Sequence, residues 1–359
     1  MQRIELEPGY EISRVIRGGW QLSGSHSGTV SDDPVGDMIA FADAGITTFD
    51  CADIYTGVED LIGAFRKRYA NVRGAEALAR IRVHTKFVPD LDVLPRIDKA
   101  YVEAVIDRSR QRLGMDRLDI VQFHWWNYGA GYWLEAAGWL EELRKAGKIH
   151  RIGATNFDTA HLLAIIGSGV PVTSMQVQYS LLDRRPEKAM VAAAKHKGVA
   201  LFCYGTVAGG FLGEKWLGAP EPKAPLENRS LVKYKLIIDE FGGWGLFQDL
   251  LKVLSDIASR HGTDIATIAS AAMLTSPGVA AVIVGARNRS HLASNLKIAS
   301  VHLTPDDEAQ IQSVLAQSKK LDGDVYTLER DTTGRHGSIM KYNLNDEGKA
   351  KAPRETAQA

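Results

Sequence analysis

Along the chain, short apolar runs alternate with longer segments in which apolar residues recur at helical spacing. Eight runs have the length of buried parallel strands: 15–20, 47–51, 82–87, 119–124, 149–155, 174–179, 200–204 and 279–285. Helical patterning covers 33–44, 58–70, 96–113, 133–146, 158–166, 186–197, 245–261 with 264–275, and 290–299. Strand and helix units in strict alternation predict an α/β chain folded as a (β/α)8 TIM barrel, a fold that holds about 250 residues or more in one domain. An open dinucleotide-binding sheet would carry Gly-x-Gly-x-x-Gly after its first strand. Here that strand ends Arg17-Gly18-Gly19-Trp20.

Against connections of about 2–6 residues, three stretches are long: 125–132 after the fourth strand, 205–243 after the seventh, and 321–359 at the end. Loops that follow strands gather at the C-terminal rim of a barrel, where barrel active sites lie. The first two insertions are therefore expected to wall a pocket, and the tail can fold back over it. The expected organisation is a single barrel domain over 1–320 and an extension over 321–359. The polar segment 346–359 has little to bury and is expected to be disordered. Near the start, 3–11 reads as a short hairpin turning at Pro8-Gly9, placed to plug the bottom of the barrel.

Composition narrows function more than fold. The 359 residues are 45% hydrophobic and 24% charged, with 43 Lys and Arg against 43 Asp and Glu. That balance creates no global field toward nucleic acid or an anionic membrane, so the expected partner is a small molecule. Cys51 and Cys203 are too few for a disulfide framework. The first residues lack the apolar core of a signal peptide, and no stretch reaches the roughly 20 apolar residues of a membrane span. A cytoplasmic location, with no metal, is the expectation.

Four polar residues stand at strand ends. Asp50 closes the second strand, Lys86 lies near the end of the third, His124 closes the fourth, and Tyr55 follows Asp50 in the next loop. Each has a plainer reading: Asp50 as a helix cap or salt-bridge partner, Lys86 as a rim lysine, His124 as a satisfied core histidine, Tyr55 as a loop tyrosine. Together at one barrel mouth they have a chemistry. A desolvated lysine keeps its charge only beside a carboxylate, and a retained ammonium beside Tyr55 favours the phenolate and lowers the phenol pKa. Tyr55 then serves as general acid, while a neutral His124 donates a hydrogen bond that orients a substrate carbonyl. Such a set suits carbonyl reduction.

At this point the chain resembles the aldo-keto reductases, over roughly residues 15 to 316. Phe49-Asp50-Cys51-Ala52-Asp53-Ile54-Tyr55 with Glu59 and Gly63 is similar to the family signature. Val83-His84-Thr85-Lys86 resembles the lysine strand, and Asp119-Ile120-Val121-Gln122-Phe123-His124 the histidine strand. The resemblance implies that Asp50, Tyr55, Lys86 and His124 form the catalytic tetrad, with Tyr55 as proton donor.

It also implies a nicotinamide cofactor. Asn156, in Gly153-Ala154-Thr155-Asn156-Phe157, and Gln176 match positions that hold the carboxamide, and Thr155 keeps the hydroxyl of the serine usual there; the plainer reading of Asn156 is a helix cap. Tyr204 matches the aromatic that stacks on the nicotinamide. The loop from Gly205 to Leu212 resembles the family's pyrophosphate loop, with Gly205 and Thr206 standing where serine and proline are usual. Gly285, Arg287, His291 and Asn295 fall in the motif that contacts the 2′-phosphate and adenine. Gly19 and Trp20 complete the expected set. NADPH is therefore expected over NADH. Trp20, Trp125, Trp126 and Tyr128 are expected to wall the substrate pocket, and the expected substrate is an aldehyde or ketone. Two other readings remain open: Lys86 as a Schiff-base lysine, with Arg287 on a sugar phosphate, and a cofactor-sensing subunit.

Overall fold

The computed structural model describes residues 1–23 and 31–345, so the segment expected to be disordered lies outside the described residues. Strands β1 (Arg3–Glu7) and β2 (Tyr10–Ser13) form an antiparallel hairpin that turns at Gly9, where φ is 78°. Eight parallel strands follow: β3 (Val15–Gly18), β4 (Thr48–Asp50), β5 (Arg82–Phe87), β6 (Leu118–Phe123), β7 (Ile149–Thr155), β8 (Val172–Gln178), β9 (Ala200–Tyr204) and β10 (Val279–Gly285). They pair in chain order, and β10 closes the barrel on β3 through Val282–Val15 and Gly285–Gly18. The expected eight-stranded barrel is the observed fold.

The helices are α1 (Pro34–Asp43), α2 (Val58–Arg73), the single turn α3 (Ala75–Leu78), α4 (Lys99–Leu113), α5 (Trp133–Lys145), α6 (Thr159–Gly167), α7 (Met190–Lys197), α8 (Arg229–Phe241), α9 (Gly243–Arg260), α10 (Ile265–Leu274), α11 (Leu292–Ile298), α12 (Pro305–Leu315) and α13 (Thr327–Arg330). Their starts are chemical. Asp33, Asp98, Asp158, Asn228 and Asp264 each accept a hydrogen bond from a first-turn backbone N–H, and Thr304 forms a capping box with Asp307. Helix α8 lies inside the stretch read as a long loop. Its buried Leu231, Tyr234, Ile237, Ile238 and Phe241 recur at helical spacing behind the Asn228 cap.

Strand alternation sorts the core into two layers. Ile16, Ile120, Phe202 and Ala281 point inward and meet Tyr10 and Ile12 of the hairpin, which plugs the barrel bottom as expected. Val15, Val121, Leu201 and Val282 point outward and pack with the helices. The described tail runs across the C-terminal rim: Lys188 Nζ donates to Leu321 O (2.6 Å), Thr159 N to Asp324 Oδ2 (2.8 Å), and Asn345 N to Asp90 Oδ1 (2.9 Å).

Candidate active site

Asp50, Lys86 and His124 stand at the ends of three consecutive strands, and their side chains line one cavity with Tyr55. Lys86 Nζ is 2.6 Å from Asp50 Oδ2 and also donates to Cys51 O at 2.8 Å. The second carboxylate oxygen of Asp50 accepts from Gln122 Nε2 and Gln176 Nε2, both at 2.7 Å. Burial works against the Lys86 ammonium, but Asp50 and Tyr55 more than offset it and raise its pKa above an ordinary lysine. The free amine that a Schiff base needs is thereby disfavoured. Lys86 Nζ lies 5.1 Å from the centre of the Tyr55 ring, on which Trp20 packs edge-on at 5.1 Å.

Two electrostatic expectations change. Burial raises the Tyr55 pKa, and the opposing pull of Lys86 does not reverse it, so the phenol stands above its usual value rather than below. His124 Nδ1 lies 3.1 Å from Thr155 O, and a carbonyl oxygen only accepts, so Nδ1 bears the proton. Burial, with Arg330 and Lys86 nearby, pushes the His124 pKa down to about 3, which keeps the ring neutral. Nε2, buried and without a hydrogen-bond partner among the described residues, is therefore an acceptor and not the donor expected from sequence.

The cavity holds about 910 Å³. Of the expected wall, Trp20 and Trp126 line it, whereas Trp125 and Tyr128 do not. Alternation explains Trp125: next to the inward His124 it points outward, fully buried against Phe123, with Nε1 donating to Asn127 O. Tyr128 is sandwiched between His161, stacked at 3.5 Å, and the Arg330 guanidinium at 4.3 Å. Gly19 is also off the lining. Its N–H donates to Asp50 O at 2.7 Å, and a Cβ there would meet Val58 at 2.7 Å, so it allows the close approach that seats Asp50.

The other expected cofactor residues, Trp20, Thr155, Asn156, Gln176, Tyr204, Gly205, Leu212, Gly285, Arg287, His291 and Asn295, all border the cavity. Asn156 Oδ1 accepts from Tyr204 Oη at 2.8 Å, which leaves its amide N–H groups to donate. Gln176 Nε2 is spent on Asp50 and on Gln122 Oε1 (2.9 Å), which leaves its oxygen to accept. One free donor beside one free acceptor complements a carboxamide. Asn295 Nδ2 is buried on the same cavity without a partner among the described residues. Sequence reading missed Lys215, Arg229, Lys233 and Tyr326, which also line it. Lys215, Arg229 and Lys233 lie in the stretch read as loop, and the Arg229 signal was its place after the Asn228 cap; Tyr326 comes from the tail and stands 5.6 Å from the His124 ring.

Residues 14–316 match the aldo/keto reductase family, and the chain belongs to it. That family comprises NAD(P)H-dependent oxidoreductases acting on carbonyl compounds. The chain is 25% identical over 319 residues to aldo-keto reductase YhdN of Bacillus subtilis, covering 86% of this chain and 92% of that one. It is 28% identical over 338 residues to the chloroplastic pyridoxal reductase of Arabidopsis thaliana, covering 89% and 87%. Flagellar radial spoke protein 5 of Chlamydomonas reinhardtii is 29% identical over 304 residues, 67% of this chain but only 57% of that longer protein. The crystal structure of a thermostable aldo-keto reductase, Tm1743, with the inhibitor epalrestat superposes with a TM-score of 0.68 at 25% identity, covering 88% of this chain and 100% of that one. Among the described residues no helix is long and apolar enough to cross a membrane.

Proposed function

We propose that the protein reduces an aldehyde or ketone to an alcohol, prefers NADPH to NADH, and uses Tyr55 as the proton donor. The observation that carries this reading is the convergence on one cavity of the Lys86–Asp50 pair, Tyr55 and His124 with a donor–acceptor couple, Asn156 and Gln176, suited to a carboxamide. Bound NADPH would supply the hydride. Asn156 and Gln176 would hold its carboxamide, Tyr204 the ring face, Lys215 and Arg229 the pyrophosphate, Arg287 the 2′-phosphate and Asn295 the adenine.

The protein's own part is acid–base chemistry. The raised pKa of Tyr55 keeps it a phenol at neutral pH, ready to donate to the carbonyl oxygen as negative charge develops there. Lys86, held cationic by Asp50, stabilises the phenolate left behind. His124 Nε2 would accept the hydroxyl hydrogen of the alcohol product and so orient it. A relative of this chain, from Escherichia coli, is named an NADH-specific methylglyoxal reductase, and it is 24% identical over 239 residues, 64% of this chain and 69% of that one. Cofactor choice is therefore tested directly. Loss of nicotinamide absorbance is followed with a panel of aldehydes and ketones, under NADPH and under NADH. Turnover faster with NADPH supports the reading, and no turnover on any carbonyl compound rejects it.

A further inference from the structure

The cavity wall is electrostatically lopsided. Among the described residues, six cationic side chains line it, Lys86, Lys215, Arg229, Lys233, Arg287 and Lys341, against three carboxylates, Asp50, Glu214 and Asp264. The carboxylates are committed: Asp50 to Lys86, Glu214 to the backbone N–H of Ile265, and Asp264 to that of Thr267. Lys215, Arg229 and Arg287 belong to the cofactor reading. Lys233 has no place in it.

Lys233 projects from α8 into a cage of tyrosines. Its Nζ lies 5.3 Å from the Tyr204 ring centre, 5.4 Å from Tyr326 and 5.9 Å from Tyr234. Behind it stands Glu329, 3.8 Å away and fully buried, already engaged by both terminal nitrogens of Arg185 at 3.1 Å. Arg185 is closed in turn by Asp183 at 2.7 Å. The four charges balance, yet only Lys233 reaches the cavity. The pocket therefore meets the Lys233 end of this cluster, where burial lowers the lysine pKa below its ordinary value and Glu329 opposes the fall. The Tyr326 ring packs near both this ammonium, at 5.4 Å, and the His124 ring, at 5.6 Å.

We infer that Lys233 recognises a carboxylate on the substrate, so the enzyme selects aldehydes or ketones bearing a carboxylate a few bonds from the reacting carbonyl. This rests on the reductase reading above. An ammonium with Glu329 at 3.8 Å behind it and aromatic faces around it offers a point charge without the guanidinium fork or nest of backbone amides that a phosphate dianion attracts, which favours the carboxylate. The aromatic walls from Tyr326, Trp20 and Trp126 accommodate the apolar spacer.

The test compares matched pairs with NADPH: 4-carboxybenzaldehyde and straight-chain carboxyaldehydes of graded length, each against its methyl ester. For the wild-type protein, kcat/KM for at least one acid should exceed that of its ester by about tenfold to a hundredfold, mainly through KM, the size of a hydrogen bond to a charged group. In Lys233→Met, whose stem still fills the cage, that ratio should collapse toward one, and Lys233→Arg should retain part of it. Acids and esters used equally by the wild type would overturn the inference without needing any variant to fold. So would a preference that survives in Lys233→Met. A wild-type protein that turns over no carbonyl compound would instead overturn the reductase reading itself.

Discussion

Lys86 Nζ and Asp50 Oδ2 lie 2.6 Å apart on neighbouring strands, both buried, with the other oxygen of Asp50 closed by two glutamine amides. Removing one member of such a pair leaves an uncompensated charge, at a cost of about 3–5 kcal/mol. Lys86→Met should therefore lower the urea midpoint. It should also move the pH dependence of alcohol oxidation. Lys86 pulls the Tyr55 pKa down against burial, so its loss raises that pKa further, and the rise in oxidation rate should shift to higher pH. An unchanged profile would show that Lys86 does not tune Tyr55.

Tyr55→Phe removes the hydroxyl and keeps the ring that Trp20 packs against at 5.1 Å. Carbonyl reduction should fall by about 10²–10⁴-fold, the usual scale of a lost general acid. NADPH affinity, measured by fluorescence titration, should stay near the wild-type value, because none of the expected cofactor contacts is lost. Turnover retained at the wild-type rate would remove Tyr55 from the mechanism.

His84 and His124 are both buried, with pKa values pushed from 6.5 to about 3, foremost by burial. Unfolding lets each take up a proton below pH 6.5 that the folded chain refuses until about pH 3. Stability should thus be intact above that window and fall as the pH drops through it, by up to about 1.4 kcal/mol per pH unit for each histidine. Urea midpoints at pH 8, 6 and 5 measure the slope. His124→Gln should flatten it, and an identical slope in that variant would show that His124 titrates normally.

The barrel was legible because its strands are short apolar runs at regular spacing, and the meeting of Asp50, Lys86 and His124 on one cavity because they close three such runs. Orientation was partly legible too: once His124 faces inward, strand alternation turns Trp125 outward and Trp126 inward, a step the sequence reading did not take. Helix α8 carried an apolar face and a cap and could have been found. What no local pattern holds is the meeting of groups distant in the chain. Glu329 and Arg185 are 144 positions apart, and the tautomer of His124 depends on a carbonyl on the next strand. The sign of the Tyr55 shift likewise depends on how deeply the folded chain buries it.

Arg287 borders the cavity just past β10. If its guanidinium holds the 2′-phosphate, Arg287→Ala should weaken NADPH about tenfold to a hundredfold, the scale of a hydrogen bond to a charged group, and NADH far less. Dissociation constants for both cofactors decide it. An equal loss for both would assign Arg287 to fold stability instead.

Glu329 ties the tail to the barrel. Its carboxylate accepts from Arg185 Nη1 and Nη2 at 3.1 Å each, at a site with no exposure for Glu329 and almost none for Arg185. Burial opposes its charge, but Arg185 and then Lys233 overcome this and hold its pKa down at about 2, from 4.5. A carboxylate with a depressed folded pKa stabilises the chain above the unfolded value, and that stability is lost as the pH falls toward about 2. Glu329→Gln removes the charge at every pH and turns an amide donor toward a guanidinium, so the variant should lose about 3–5 kcal/mol at neutral pH. Its remaining stability should depend less on acid than that of the wild type. Because Tyr326 lies on the same tail segment and packs 5.6 Å from His124, loosening should also raise KM for the carbonyl compound more than KM for the cofactor. Urea unfolding between pH 7 and pH 3 and steady-state kinetics on the same preparation measure both effects. A variant with the wild-type midpoint and unchanged KM values would show that the Arg185–Glu329 contact does not hold the tail over the site.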